Sequence, residues 1–284
     1  LKYFDNSLYI GVNTTFLYPS PVVTHSSQEW KWKIFVFDVT RKKMNRQIVL
    51  DGELLDFDVK NNFIYVVTTQ STQILTLNGL SVLSKPNAIK ISADTRGNYV
   101  LLNANNEIFF YGPNHALQFQ QKITKTSLED ILIDEISGRV FIVGYDDKTI
   151  AWKLISVAFL YAYDYQGNYK YKLFDFSWSE MTSYTASTKL YSLSLGSDKK
   201  LYILWETQGK DTIFKYNGTT LSGNQKYAPK DVFSELPENQ ALVAYFARVH
   251  PETGVIETSN FALPRGVNWE GASFQIKDGN ISTT

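Results

Sequence analysis

Apolar and polar side chains alternate with a period of two along most of this chain. They form short apolar runs of four to eight residues bounded by Asn, Asp, Gly or Lys. Period two sends neighbouring side chains to opposite faces, so the pattern predicts half-buried strands rather than helices. One type of run reads turn, then apolar-aromatic-apolar, and occurs at 6–10, 61–66, 97–101, 138–142 and 199–203. A second type, an apolar strand ending in a turn residue, follows at 33–38, 73–79, 107–112, 158–164, 212–218 and 245–250. Further short strands precede several of the first runs, at 54–59, 88–92, 130–134 and 190–195. Looser fourth strands are expected at 169–174 and 255–263. Asp231 to Asn239 has room for a turn or a short helix, limited by Pro237.

The repeating unit is therefore four antiparallel strands in about 35 to 60 residues, the signature of a β-propeller blade. A lone four-stranded sheet cannot bury both faces, whereas stacked sheets bury each other and leave short edges. The fold expected is all-β, a β-propeller of four-stranded antiparallel blades. Five to seven blades fit the spacing, and six is the central value. If 212–218 completes a blade and a degenerate one follows, there are six; if it is an insertion inside one long blade, there are five. Residues 1–284 are read as a single propeller domain whose N-terminus begins with a second strand. The alternating segment Ser273 to Lys277 is expected to complete that N-terminal blade and close the ring. The alternative is a chain cut in mid-blade with more blades beyond. Leu1 in place of Met predicts a processed or excised piece of a longer chain.

Charge narrows the function classes. The chain has 28 basic and 28 acidic side chains and no formal net charge. That balance removes the electrostatic case for nucleic acid and for an anionic membrane surface. The longest apolar stretch, 154–163, is about half of the roughly 20 residues that cross a bilayer, so no transmembrane segment is expected in this chain. Cysteine is absent, which excludes a disulfide framework, a zinc-cysteine site and a thiol nucleophile.

Candidate chemistry is sparse. His25, His115 and His250 each sit in or beside a turn, without a second ligand at metal-binding spacing. No Gly-x-Ser-x-Gly elbow and no glycine-rich phosphate loop occurs. Ser92 to Gly97 has the look of a sialidase-type Asp box with one residue too many, and a turn between strands explains it better. Some propellers are glycoside hydrolases with Asp or Glu on their innermost strands, and such carboxyl groups must flank the scissile bond. On that reading the catalytic candidates are Asp58, Asp130 and Asp134. Asp56 lies two residues before Asp58 and faces the same way. Asp146-Asp147 and Asp56-x-Asp58 are loose oxygen clusters of the kind calcium uses, but solvated turn acids explain them better, and no cofactor is expected. Exposed Trp and Tyr can stack on sugars or anchor protein contacts. Tyr18, Trp30, Trp32, Trp178, Tyr184 and Trp269 flank or occupy the irregular segments and form the expected binding surface. The long loops at 18–31 and 221–240 are candidate carriers of that function.

The segment 158–169, Ala-Phe-Leu-Tyr-Ala-Tyr-Asp-Tyr-Gln-Gly-Asn-Tyr, resembles the strand and turn of the bacterial β-propeller repeat family, the seven-bladed β-propeller repeat type. Residues 244–254 resemble the same element. Residues 131–142 and 89–101 resemble the family's second hairpin, with its Asp-x-x-Gly-Asn turn. The family's frequent Gly-Gly pairs are missing, and Gly144 alone ends the 139–144 strand in the family's way. The resemblance implies an exported bacterial surface protein and carries no catalytic residues. Together these features lead us to expect a non-enzymatic, extracellular or cell-surface scaffold or recognition module. It would bind protein or glycan through loops on one face, as a free module or as a subunit of a larger surface assembly. The rival is a carbohydrate-active enzyme, hydrolase or lyase, built on the inner-strand carboxylates.

Overall fold

The computed structural model describes residues 1–13, 32–85, 87–150, 153–176, 187–208, 242–262, 274–277 and 280–283. Among these residues every regular element is a strand. The first sheet comprises β1 (Lys2–Phe4), β2 (Ser7–Asn13), β3 (Trp32–Asp38) and β4 (Lys43–Val49). The second comprises β5 (Leu54–Lys60), β6 (Phe63–Thr68), β7 (Thr72–Thr76) and β8 (Ser81–Lys85). The third comprises β9 (Lys90–Ala93), β10 (Tyr99–Leu102), β11 (Glu107–Tyr111) and β12 (Leu117–Lys122). The fourth comprises β13 (Ser127–Asp134), β14 (Arg139–Ile150), β15 (Lys153–Asp164) and β16 (Tyr169–Phe174). The fifth comprises β17 (Thr188–Leu195), β18 (Leu201–Gln208), β19 (Leu242–Val249) and β20 (Ile256–Ala262). A hairpin of β21 (Phe274–Lys277) and β22 (Asn280–Thr283) follows. In all five four-stranded sheets the spatial order is the chain order, the meander of a propeller blade.

The burial pattern explains the sequence pattern. Five of the six positions of β6 (Phe-Ile-Tyr-Val-Val-Thr) are buried, and all four of β10 (Tyr-Val-Leu-Leu). Such strands are covered on both faces and read as continuous apolar runs. The fourth strands β8 and β12 are largely exposed. Their Ser, Lys and Gln residues protect an open edge and make these strands look loose in sequence.

The turns follow a shared chemistry. Asp94 accepts the amides of Arg96 and Asn98, and the Asn98 side chain donates back to Asp94 at 2.7 Å. Asp164 holds Asn168 the same way, through its amide and side chain. Gly97 and Gly167 take φ of 89° and 82°, a region that favours glycine. The Asp-x-x-Gly-Asn motif is thus a turn device in both places, and the suspected Asp box is one of them.

One expectation needs correction. The N-terminus does not begin with a second strand: Lys2–Phe4 is a first strand, paired with Ser7–Tyr9. Three residues are too few for a period to show. Phe274–Lys277 pairs with Asn280–Thr283, and the four strands of the N-terminal sheet all come from 2–49. The described residues hold five four-stranded sheets, within the expected five to seven. The fifth joins β18 directly to β19 across the segment that contains 212–218. That strand, and the turn or helix expected at 231–239, lie outside the described residues.

The chain divides into two compact units. Unit 1 is Leu1–Ile123 with Ile131–Glu135 and Tyr165–Gly167; unit 2 is Thr124–Asp130, Ile136–Asp164 and Asn168–Thr284. In unit 1, β5 packs against β1 and β2, and β9 against β5 and β6. Two apolar clusters fill these seams, one around Ile34, Phe57 and Ile64 and one around Tyr65, Tyr99 and Leu101. In unit 2, β17 packs against β14 and β15.

Candidate functional site

Of the six aromatic residues expected at a binding surface, Trp32 lies among the described residues. It opens β3, is half-buried, and packs against the core cluster that includes Tyr9, Ile34 and Leu50. Tyr18, Trp30, Trp178, Tyr184 and Trp269 lie outside the described residues.

The inner-strand carboxylates have a definite employment. Asp56 and Asp58 point the same way from β5. Asp56 Oδ2 accepts the amide of Ile91 at 2.9 Å and Asp58 Oδ2 accepts the amide of Ala93 at 3.0 Å. The other oxygen of each accepts the amide of the next residue, Phe57 or Val59, at 2.9 Å. Side chains and amides both repeat every second residue along a strand, so two carboxylates two apart match two amides two apart. On β13, Asp130 Oδ2 accepts the amide of Leu193 of β17 at 2.9 Å. Ser92 on β9 similarly accepts the amide of Ile133 at 3.1 Å. Thr72 and Thr188 take the amides of Ala88 and Ala158. These contacts clasp one sheet to the first strand, or the strand leader, of another. Asp58 is 5% exposed, and Lys2 lies 3.6 Å from its Oδ1. Asp134, also buried, ends β13.

The loose calcium candidates are engaged too. Asp146 lies 3.1 Å from Lys125 and 4.0 Å from Lys148, and Asp147 accepts the Ser156 hydroxyl at 2.6 Å. Among the described residues no group of three or more His, Asp or Glu is arranged to hold a metal. His115 sits in the turn between β11 and β12, where its amide donates to Gly112. His250 sits in the turn after β19, where its carbonyl accepts the Gly254 amide.

A polar network in unit 2 has no counterpart in the sequence reading. Asp175 is 9% exposed. Its Oδ1 lies 2.7 Å from Lys125 Nζ and 3.2 Å from Lys148 Nζ, and its Oδ2 accepts the Tyr161 hydroxyl at 2.5 Å. Lys148 also donates to the Phe176 carbonyl and Lys172 to that of Asp175. Burial alone would raise the Asp175 pKa, but the Lys125 and Tyr161 hydrogen bonds and the Lys148 charge hold it below its ordinary value. Burial likewise opposes the Lys125 charge, and the Asp175 and Asp146 carboxylates outweigh it, so its ammonium sits above its usual range. Phe174 and Asp175 have φ of 61° and 51°. Two consecutive non-glycine residues in this region are uncommon, and the network holds them there. Lys125 is therefore firmly charged and hydrogen bonded, the opposite of an activated amine.

A second buried cluster lies in unit 1. The rings of Tyr65 and Tyr99 are 5.4 Å apart, and Tyr99 stacks on Tyr111 at 4.9 Å. His115 is 5.8 Å from Tyr99, and Lys85 Nζ lies 4.1 Å above the Tyr111 ring while donating to the His115 carbonyl. Burial, with the Asp94 and Asp58 charges, pushes the Tyr65 phenol up to about 12. Burial and the Lys85 charge lower the His115 pKa, so its imidazole is neutral at pH 7.

No protein-family model matches the chain, and no curated protein is similar to it in sequence. Many solved structures share its fold. Among them is a chain of Kuenenia stuttgartiensis hydrazine synthase, with a TM-score of 0.51 and 12% identity. The similarity covers 78% of the present chain and 58% of that one. At this identity the likeness is one of fold, and the present chain spans a little over half of the other chain's length.

Proposed function

We propose that the protein is a non-enzymatic scaffold or recognition module, exported to the cell surface, where it binds protein or glycan and serves in a larger surface assembly. The observation that carries this reading is the employment of the inner-strand carboxylates. Asp58 spends one oxygen on the Ala93 amide and the other on the Val59 amide, and Asp130 spends one on the Leu193 amide. A glycosidase acid must reach the leaving-group oxygen, and its partner must reach the sugar ring or a water. Carboxylates that clasp sheets together are poorly placed for either. The resemblance to the repeat family and the balanced charge support export and a recognition role, with affinity from a few anchors rather than from steering charge.

The test has two parts. Imaging the native particle from its source is expected to find it in a surface assembly, and a glycan and cell-surface protein array is expected to retain it. The same glycans incubated with the protein are expected to yield no new reducing ends and no unsaturated products. Turnover that disappears in Asp58→Asn or Asp130→Asn, with the fold intact, would overturn the reading in favour of a carbohydrate-active enzyme.

A further inference from the structure

We propose that the outward face of the fifth sheet is a platform for an uncharged glycan chain, with Tyr191 and Tyr202 as its anchors. The proposal rests on the recognition reading above and gives it a surface and a ligand class. Strand β18 alternates strictly. Leu201, Ile203, Trp205 and Thr207 are buried, and Tyr202, Leu204 and Glu206 face the other way. Tyr202 is 38% exposed and Leu204 42%. Phe246 of β19 lies directly across from Leu204 and is half-buried, and Arg248 lies across from Tyr202. Tyr191 of β17, also 38% exposed, is the extra residue of a β-bulge, a device that re-aims a side chain. Its hydroxyl donates to Glu206 Oε1 at 3.4 Å, which brings it to the same face. Glu206 and Tyr202 are four residues apart on β18, about 13 Å at the usual strand rise. The two tyrosines therefore bracket an apolar step made by Leu204 and Phe246.

Tyr202 is fixed before any ligand arrives. Its hydroxyl donates to Asp198 Oδ2 at 2.9 Å. A Cβ at Gly196 would lie 2.4 Å from Tyr202 Cε2, so glycine is what lets the ring rest against that turn. A ring already held in place lowers the entropy cost of binding. The charges on and beside this face cancel: Lys189, Lys200 and Arg248 stand against Asp198, Glu206 and Glu257. Most are paired with one another, Lys200 with Glu257 at 2.5 Å, and Arg248 with Glu257 at 3.1 Å and Asp198 at 3.7 Å. A charged ligand would have to compete with these pairs, and an uncharged one would not. The apolar strip is also narrow, with Ser194 and Arg248 beside Tyr202 and Ser192 beside Leu204. A protein partner asks for a broad apolar core in its interface. A sugar ring, with an apolar C–H face and a rim of hydroxyls, matches aromatic rings bordered by hydrogen-bonding groups.

Affinity electrophoresis of the whole chain tests this, in gels that contain laminarin, mannan or xyloglucan, with heparin as the polyanionic probe. The wild-type chain is expected to be retarded by at least one of the neutral polysaccharides, and equally at low and high salt, because no ligand charge is matched. Tyr191→Ala and Tyr202→Ala are each expected to weaken binding at least about tenfold, as the loss of an aromatic anchor does. Both are expected to melt within about 3 °C of wild type. Tyr3→Ala removes an exposed aromatic ring from the first sheet and is the control, expected to bind as wild type does. Retardation that survives in both tyrosine variants would overturn the platform and leave the recognition reading in place, because the glycan would then be bound elsewhere. Retardation by heparin alone, or by no polysaccharide, would overturn the proposal, and the recognition reading would then rest on whether the protein array retains the chain. Tyrosine variants that lose binding and also melt more than about 5 °C lower would overturn it as well, by showing both rings to be packing residues.

Discussion

Two tyrosine sites, one in each unit, solve the same problem in different ways. Tyr161 in unit 2 donates its hydroxyl to a carboxylate, Asp175, that two lysines also hold. Tyr65 and Tyr99 in unit 1 sit among aromatic rings, and no described group takes their hydroxyls. All three tyrosines come from apolar strand runs that look alike in sequence. What differs is the partner. At the end of β16 the chain turns through two left-handed residues and delivers Asp175 to Tyr161, whereas Tyr65 lies across from Asp58 and Ile74 and Tyr99 across from Ala93 and Tyr111, none of which takes their hydroxyls. A strand tyrosine is thus defined by what a distant turn brings to it, and one site is an ionic bolt while the other is an aromatic stack with a polar centre.

The largest effect should come from breaking the bolt. Asp175→Asn removes the charge while keeping the side-chain shape, and Asn tolerates the left-handed backbone. It leaves the half-buried Lys125 and Lys148 without their shared carboxylate, with Asp146 still beside them. Breaking a buried pair from one side costs about 3–5 kcal/mol, and the remaining carboxylate argues for the lower end, about 3 kcal/mol. Urea unfolding followed by fluorescence measures it, and an effect below about 1 kcal/mol would remove the contrast between the two sites. The acid limb should change as well. The folded pKa of Asp175 is depressed, so its stabilisation is complete above the unfolded value near 3.9 and is lost as pH falls through the folded value. The wild-type midpoint should therefore drop below about pH 4 more steeply than that of Asp175→Asn.

Tyr161→Phe comes next in size. It removes one charge-assisted hydrogen bond, worth about 1.5–3 kcal/mol, from a carboxylate that keeps its lysines, so a loss of about 1.5 kcal/mol is expected. The measurement sharpens the comparison when set beside Asp175→Asn and the double variant. If the two act through one bond, the double variant should lose less than the sum.

How much of this was legible in the sequence varies with the kind of partner involved. The strands at 169–174 and 107–111 and the turn chemistry of 94–98 and 164–168 could be read, because period and turn residues are local signals. The clasps could not. Asp56 and Asp58 could be placed on one face, but their partners are backbone amides 35 residues away, and every non-proline residue carries such an amide. The carboxylates therefore looked like candidates for catalysis. Asp146-Asp147 looked like a solvated turn because the apolar pattern stops at Gly144. In fact β14 runs on to Ile150, and its polar end is held by Lys125, Lys148 and Ser156. The bolt spans residues 125 to 175 and uses common residue types, so neither spacing nor composition marks it. Gly144 does carry a local signal. A Cβ there would lie 2.0 Å from the Ser127 carbonyl oxygen, so the glycine is a packing requirement as well as a strand end.

The smallest expected effect tests the sealing of the Tyr65 site at alkaline pH. Tyr65 ionises near 10 when unfolded and near 12 when folded. Between those values the unfolded chain has given up the proton and the folded chain has not, so stability falls as pH rises. The sign is the reverse of that for Asp175, whose contribution disappears toward acid. A two-unit shift corresponds to a loss of about 1 kcal/mol by pH 11 from this phenol. Tyr65→Phe cannot lose it. The stability of the variant relative to wild type should therefore rise as pH goes from 10 to 11. Urea midpoints at pH 8, 10 and 11 for the two proteins measure that change. Parallel curves would mean that the Tyr65 phenol titrates alike in the folded and unfolded chain. Its site would then be open to solvent rather than sealed, and the contrast with Tyr161 would be one of hydrogen-bond partner alone, with burial contributing nothing.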